Sequence, residues 1–150
     1  MKNVLVIGST GQIGSELTKE LRSRYGNEHV VAGYIKGAEP KGELLESGPA
    51  EECDVTNGEM IAGVVKKYHI DAIYNLAALL SVVAENKPRL AWKIGIDGLL
   101  NVPGVARENH CQVFTPRRVG SFGPNTPKRN TPQDTIQRPR TIYGVSKVTT

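Results

Sequence analysis

An apolar run that leads directly into three regularly spaced glycines is the strongest constraint on how this chain folds. The run is Val4–Ile7, and Gly8, Gly11 and Gly14 follow it in a Gly-x-x-Gly-x-x-Gly pattern. Consecutive apolar residues, most of them β-branched, are typical of a strand that is covered on both faces. The glycines permit a tight turn into a helix that packs closely on that strand. The pattern therefore predicts a strand, a turn and a helix at the start of a parallel sheet.

The rest of the chain alternates strand-like apolar runs with amphipathic segments, which is typical of α/β domains. Strands are predicted at about 3–7, 28–34, 51–53, 71–76 and 111–115. Helices are predicted at about 12–25, 57–68 and 89–108, with a last helix from about residue 141. We therefore expect a three-layer α/β fold with a doubly wound parallel sheet.

Local signals refine two of these helices. Thr56 or Asn57 is suited to cap the helix at 57–68, because both side chains accept hydrogen bonds from backbone N–H groups. Pro103 and the glycine after it interrupt the helix at 89–108. Proline removes a helical hydrogen bond and clashes with the preceding turn, so this helix should kink or end near Val102.

Length and composition suit one soluble domain. The chain has 150 residues, 39% of them hydrophobic, and no apolar run approaches the about 20 residues of a membrane span. The first strand begins almost at the N-terminus, which leaves no room for a targeting segment and predicts a cytoplasmic protein without membrane contact. Cys53 and Cys111 lack metal-type spacing and are expected to be reduced and buried, and Trp92 and Phe114 are expected in the core.

Positive charge is concentrated at the end of the chain. Residues 1–116 carry 12 Lys/Arg and 14 Asp/Glu, whereas residues 117–150 carry seven and one. The basic block is Arg117, Arg118, Lys128, Arg129, Arg138, Arg140 and Lys147. It could attract a phosphate-rich cofactor or a nucleic acid, or form a basic surface that further polypeptide faces. No recognition motif accompanies the charge, so we expect no nucleic-acid partner.

The glycine pattern in this context predicts a dinucleotide site, with the pyrophosphate at the N-terminus of the first helix. The residues assigned to this turn are Gly8, Thr10, Gly11, Gln12, Ile13 and Gly14. An acid about 20 residues further on normally binds the adenosine ribose. Tyr34 stands there instead, and the nearby Lys36 could meet a 2′-phosphate, which would favour NADP over NAD. NAD remains the expected cofactor, with NADP as the alternative.

Two further segments follow predicted strands and should lie at the same edge of the sheet. Asp54 and Val55 come after the third strand, where they are placed for the adenine end of a dinucleotide. Leu76, Ala77 and Ala78 come after the fourth strand. Doubly wound sheets bind ligands at the carboxyl ends of their strands, so these residues join the predicted cofactor site.

A Tyr-x-x-x-Lys pair, Tyr143 and Lys147, would lie on one face of the last helix, one turn apart. A phenol is a poor base near neutral pH because its pKa is about 10. A neighbouring ammonium group favours the phenolate and lowers that pKa. Together with the glycine-rich turn, the pair indicates hydride-transfer chemistry.

The order of these motifs resembles the extended short-chain dehydrogenase/reductase superfamily, also called the NAD-dependent epimerase/dehydratase superfamily. The motifs are Gly-x-x-Gly-x-x-Gly, Asp54-Val55, Asn75-x-Ala77-Ala78 and Tyr143-x-x-x-Lys147. Longer strings at 76–81, 120–124 and 131–147 are similar to the L-threonine 3-dehydrogenase branch. The resemblance implies a Rossmann fold, with residues 1–150 as an NAD(P)-binding domain that lacks the substrate domain of its relatives.

By this resemblance, the reaction would oxidise L-threonine to 2-amino-3-ketobutyrate with NAD as hydride acceptor, a step of threonine catabolism. Tyr143 would be the general base, and Lys147 would lower the pKa of Tyr143 and hold the nicotinamide ribose. Ser81 would bind the substrate, and no metal takes part. Full-length relatives are expected to be homodimers. An alternative under the same resemblance is another NAD-dependent enzyme of the sugar epimerase or dehydratase type.

The chain departs from the family pattern at several positions. Arg118 stands where a catalytic Ser or Thr is expected, and Gly95 stands where an Asn supports a proton-relay water. Tyr34 replaces the ribose-binding acid, and family members are roughly twice as long as these 150 residues. A second hypothesis is therefore a nucleotide-binding fragment or remnant that binds the cofactor without turnover, and we expect no threonine oxidation from the 150 residues alone.

Overall fold

A computed structural model of the chain describes residues 3–79, 81–116, 121–132, 134–141, 144–145 and 148. The strands are β1 Val4–Ile7, β2 Val30–Tyr34, β3 Ala50–Glu52, β4 Ala72–Asn75 and β5 Gln112–Phe114. The helices are α1 Gln12–Tyr25, α2 Glu43–Glu46, α3 Gly58–Lys67, α4 Ser81–Asn86 and α5 Pro88–Glu108, with a 3₁₀ turn at Asn27–His29. Within these ranges, no helix combines the length and the apolar character that crossing a membrane requires.

The five strands form one parallel sheet in the order β3-β2-β1-β4-β5. The chain builds outward from β1 to β2 and β3, and then crosses back to add β4 and β5 on the other side. At the carboxyl end of β1, Ile7 pairs with Gly33 of β2 and with Asn75 of β4. This order is that of a doubly wound Rossmann fold, which confirms the predicted fold class, and it places the switch point between β1 and β4.

Helices cover both faces of the sheet. On one face, α3 and α5 pack over the larger core cluster, which includes Leu5, Ile7, Val31, Ile61, Ile73 and Val102. On the other face, α1 packs through Leu21 against Val4, Val6 and Val30. The central strands are therefore buried on both sides, which is why their sequences are almost continuously apolar.

Helix α5 continues through Pro103 to Glu108, so an end near Val102 is wrong, and the alternative of a kink there stays a prediction. Val102, Val105 and Ala106 are all buried on both sides of the proline. Apolar burial over this last part of the helix offsets the hydrogen bond that proline removes. The predicted cap of α3 is confirmed for one of its two candidates, because Asn57 accepts a hydrogen bond from the Met60 N–H at 3.1 Å.

Two aromatic side chains expected in the core are instead half exposed. Trp92 is 45% exposed on α5, and Phe114 is 53% exposed on β5, the end strand of the sheet. The Phe114 ring lies 5.5 Å from that of Tyr74 on the neighbouring strand. Both residues therefore belong to surfaces at the margin of the fold rather than to its interior.

A buried arginine anchors the connection between β2 and β3. Arg22 of α1 is only 3% exposed, and burial lowers the pKa of its guanidinium. It donates hydrogen bonds to the carbonyl oxygens of Val30, Leu44 and Pro49 at 3.2, 2.6 and 2.8 Å, and to Ser47 Oγ at 2.8 Å. Within the part of the chain that the structure describes, no carboxylate pairs with this cation. Arg22 therefore ties the connecting segment to α1 through its backbone.

We predict that Arg22→Met lowers the free energy of unfolding by about 2–4 kcal/mol, because it leaves several buried acceptors without a donor. Arg24→Met is the matched control on the same helix. Arg24 pairs with Glu20 on the surface, so its loss should change stability by less than about 1 kcal/mol. Urea unfolding of both variants measures the difference, and equal effects would contradict the anchoring role of Arg22.

Candidate nucleotide-binding site

The turn after β1 is hooked onto the end of β2. The N–H groups of Gly8 and Ser9 both donate to the Gly33 carbonyl at 3.0 Å, and the Ser9 hydroxyl donates to the same oxygen at 3.0 Å. Gly8 has φ of +82°, a conformation that favours glycine. Further along, Thr18 Oγ1 donates to the Gly14 carbonyl at 2.7 Å within α1. These bonds fix the start of α1 directly beside the carboxyl ends of β1 and β2.

The spaced glycines fill positions where a side chain has no room. A Cβ on Gly14 would lie 2.1 Å from the Gly8 carbonyl oxygen, and one on Gly8 would lie 3.2 Å from the Ala77 nitrogen. Helix α1 follows Gly11 with no side-chain cap and no acid in its first turn. Its first N–H groups lack intrahelical partners, and the helix dipole favours an anion there. The turn thus brings bare backbone and a helix N-terminus to one place, which suits a phosphate group.

A cleft of about 560 Å³ opens at the carboxyl ends of β1 to β4. Its lining comes from the turn after β1 (Ile7, Gly8, Thr10, Gly11), from the end of β2 (Ile35, Ala38), from the end of β3 (Asp54, Val55, Thr56), from the end of β4 (Leu76, Ala77, Ala78, Leu79) and from α5 (Leu90, Lys93, Ile94). The cleft lies at the switch point between β1 and β4, where doubly wound sheets bind nucleotides. The geometry thus brings segments distant in sequence into one site.

The loop after β3 is held by side-chain hydrogen bonds. Asp54 accepts a hydrogen bond from the Thr56 N–H at 2.9 Å, and Asn101 of α5 donates to the Val55 carbonyl at 2.9 Å. After β4, Asn75 accepts from the Ala77 N–H at 3.3 Å. Such local bonds fix the backbone of a loop without regular secondary structure. Both loops are therefore preformed walls of the cleft.

At the end of β2 the chain turns sharply, and this changes which residues face the cleft. The Ala38 N–H donates to the Ile35 carbonyl at 2.9 Å, and Gly37 has φ of +86°. This is the geometry of a type II turn. Ile35 and Ala38, at its two ends, line the cleft, whereas Tyr34 and Lys36 do not. Tyr34 and Lys36 thus flank the lining residues, and their assignment to the ribose stays a prediction.

The remaining cofactor assignments divide in a simple way. Those that line the cleft are Gly8, Thr10, Gly11, Asp54, Val55, Leu76, Ala77 and Ala78. Gln12, Ile13 and Gly14 form the first turn of α1 behind it. The residues that the sequence assignment missed are Ile7, Ile35, Ala38, Thr56, Leu79, Leu90, Lys93 and Ile94. For the missed residues of α5, the only signal was the helical spacing of Leu90 and Ile94. This spacing indicates that they share a face of the helix but not what that face contacts.

The residues expected to act at the reacting hydroxyl lie outside the part of the chain that the structure describes. Tyr143, Lys147 and Arg118 lie outside the described residues. Ser81 is the first residue of α4, directly after the segment that follows β4, and Gly95 lies within α5. The roles assigned to these five positions therefore rest on the sequence.

The structure describes two hydrogen bonds at the start of the last predicted helix. Thr141 Oγ1 accepts a hydrogen bond from the Gly144 N–H at 3.0 Å, and the Thr141 carbonyl accepts one from the Val145 N–H at 2.9 Å. A threonine hydroxyl that accepts from the third N–H of a helix is a usual N-cap. This agrees with a helix that starts near Thr141, as the sequence predicts.

The two thiols are not suited to nucleophilic chemistry. Cys53 is buried, and burial, with smaller contributions from Asp54 and Glu51, raises the pKa of its thiol to about 12. Cys111 is half-buried, donates to the Ile70 carbonyl at 2.9 Å, and burial also raises its pKa. Both are therefore thiols at neutral pH. Among the described residues, no group of three or more His, Cys, Asp or Glu side chains could hold a metal ion.

Fold and cleft together define an α/β protein of the Rossmann type. The sequence matches the NAD dependent epimerase/dehydratase family over residues 4–150, and the chain belongs to that family. It is 47% identical to an uncharacterized epimerase/dehydratase of Staphylococcus saprophyticus, over 99% of this chain and 46% of that protein.

Solved structures of two L-threonine dehydrogenases are also similar. The enzyme from Clostridium difficile is 48% identical with a TM-score of 0.91, over 99% of this chain and 46% of that one. The enzyme from Cupriavidus necator, in its holo form, is 38% identical with a TM-score of 0.88, over 96% and 46%. The chain thus spans about half the length of the proteins it matches.

We predict that Gly14→Ala lowers the free energy of unfolding by about 1–3 kcal/mol and weakens nucleotide binding, because the new Cβ meets the Gly8 carbonyl. Gly63→Ala on α3 is the control, since nothing lies within 4 Å of a Cβ there. Alanine is the better helix former, so this variant should gain up to about 1 kcal/mol. Thermal unfolding with and without NAD⁺ measures both effects. Full nucleotide binding by Gly14→Ala would contradict the role assigned to the close contact.

Proposed function

We propose that this chain is the NAD-binding part of a dehydrogenase that oxidises L-threonine to 2-amino-3-ketobutyrate. The observation that carries the proposal is the glycine turn, whose backbone meets Ala77 at the switch point of the sheet and leaves the N-terminus of α1 open. The similarity to two L-threonine dehydrogenases, at 48% and 38% identity, supports the choice of substrate.

The residues of the cleft fit an extended dinucleotide. Gly8, Thr10 and Gly11, with the first turn of α1, would hold the pyrophosphate through backbone N–H groups. Asp54 would hold the adenine end, and Ala77 would lie on the side of the nicotinamide ribose. When bound, NAD supplies the hydride acceptor. The protein's own part is to hold this acceptor in place and to exclude water from it.

Removal of the substrate proton is assigned to the Tyr-x-x-x-Lys pair. Tyr143 removes the proton of the threonine hydroxyl as the carbon beside it loses a hydride, which leaves a ketone. The Lys147 ammonium favours the phenolate and so lowers the pKa of Tyr143 toward neutrality. Ser81, at the start of α4, would bind the substrate through its hydroxyl.

Calorimetric titration of the chain with NAD⁺ and NADP⁺ tests the nucleotide half of the proposal. We expect NAD⁺ to bind at least about tenfold more tightly than NADP⁺, because Lys36 does not line the cleft. Tighter binding of NADP⁺ would show that Lys36 reaches a 2′-phosphate. A folded sample that binds neither nucleotide would contradict the proposal.

A chimera tests the substrate. In it, this chain replaces the matching 46% of the Clostridium difficile enzyme. We expect production of NADH that depends on L-threonine, at a rate limited by Arg118. Nucleotide binding without any threonine-dependent turnover, even after the Arg118 substitution described below, would exclude threonine as the substrate.

A second candidate function is nucleotide binding without turnover, and Arg118 is the observation that favours it. A hydroxyl both donates and accepts a hydrogen bond, whereas a guanidinium only donates and is always charged. Arg118 therefore cannot reproduce the hydrogen bonding of the Ser or Thr expected there. Loss of a group that stabilises the reacting oxygen lowers the rate by about 10²–10³.

We predict that Arg118→Ser raises threonine-dependent NADH formation by the chimera at least about tenfold, by restoring a hydroxyl to the reacting oxygen. The control is Arg117→Ser, which removes the same charge one position earlier and should leave the rate unchanged. Steady-state assays at saturating NAD⁺ measure both. An equal rate for Arg118→Ser and the parent chimera would mean that this position does not face the substrate.

A further inference from the structure

One wall of the cleft carries a lysine that no sequence motif predicts. Among the described residues that line the cleft, Asp54 and Lys93 are the charged ones. Lys93 belongs to α5, on the stripe that it shares with the apolar lining residues Leu90 and Ile94. Among the described residues, the cation that lines this cleft therefore lies on α5.

Contacts with the loop after β3 fix the position of that stripe. Gly98 of α5 is buried, and a Cβ there would lie 3.2 Å from the Val55 Cβ. Asn101, less than one turn further along, donates to the Val55 carbonyl at 2.9 Å. Ala91, near the start of α5, is only 6% exposed. The helix is thus held at both ends of this stretch, and rotation that would turn Lys93 away from the cleft is prevented.

The Lys93 ammonium is available for a ligand. It makes no ion pair with any residue in the described ranges, and Asp97, one helical turn away, is not paired with it. The side chain is exposed and lines the cleft, and its long stem can reorient at little cost. A protein carboxylate paired with this ammonium would weaken its attraction for an anionic ligand. The described residues supply no such carboxylate.

We propose that Lys93 contacts the phosphate groups of the bound dinucleotide from the α5 side of the cleft. This inference rests on the proposed nucleotide-binding function. The N-terminus of α1 offers only about half a unit of positive charge to a pyrophosphate that carries two negative charges. The Asp54 carboxylate in the same cleft adds a repulsive term. A full positive charge on the α5 wall of the same cleft compensates for both.

The test compares Lys93→Met with Lys66→Met, by calorimetric titration with adenosine, AMP, ADP and NAD⁺. Methionine keeps the length of the side chain and removes its charge. Lys66 is an exposed residue of α3 that does not line the cleft, so its substitution makes the same change in net charge elsewhere. Each titration is made at about 20 mM and about 300 mM salt, which changes the screening of an exposed charge.

We expect Lys93→Met to weaken ADP and NAD⁺ binding about tenfold at low salt, with a smaller effect at high salt. Adenosine, which has no phosphate, should bind Lys93→Met and the unaltered protein equally. Lys66→Met should bind all four ligands as the unaltered protein does.

Three results would overturn the inference. Equal NAD⁺ affinity of Lys93→Met and the unaltered protein would show that Lys93 makes no contact, with the proposed function intact. Weaker binding of adenosine to the same degree as ADP would place Lys93 against the adenine ring rather than the phosphates. Failure of the unaltered protein to bind any of the ligands would overturn the proposed function along with this inference.

Discussion

The architecture depends on one carbonyl group, that of Gly33. It accepts hydrogen bonds from two consecutive N–H groups and one hydroxyl of the turn after β1. Because these bonds pull the turn onto β2, α1 must start where its N-terminus faces the switch point. The same turn is pressed against Ala77 on the other side, so β2, β1 and β4 meet at Gly8. The cleft exists because three strand ends are joined there by backbone contacts and the Ser9 hydroxyl.

The features that sequence patterns predicted well are those set by local physics. Apolar runs predicted strands β1, β2 and β4, and Asn57 was predicted to cap α3, because neither signal depends on distant contacts. The exceptions depend on tertiary packing. Burial of Val102 and Val105 carries α5 past Pro103, and the positions of Trp92 and Phe114 depend on what surrounds them rather than on their hydrophobicity.

The candidate site also divides into features set by local backbone geometry and features set by tertiary packing. The glycine turn and the Asp54 loop were assigned from motifs that describe backbone geometry. At the end of β2, a turn centred on Lys36 and Gly37 brings Ile35 and Ala38 to the cleft instead, and no periodic pattern encodes such a turn. The contribution of α5 was also missed, since helical spacing shows which residues share a face but not which ligand or element that face meets.

Arg22 holds the segment between β2 and β3 by its carbonyl oxygens and one serine hydroxyl. An anchor of this kind recognises the path of the main chain and is largely indifferent to the side chains along it. The turn from Ile35 to Ala38 can therefore change its residues while the sheet behind it stays in place. The fold separates what must be kept for stability from what can vary at this wall of the cleft, so ligand preference can evolve there without loss of the scaffold.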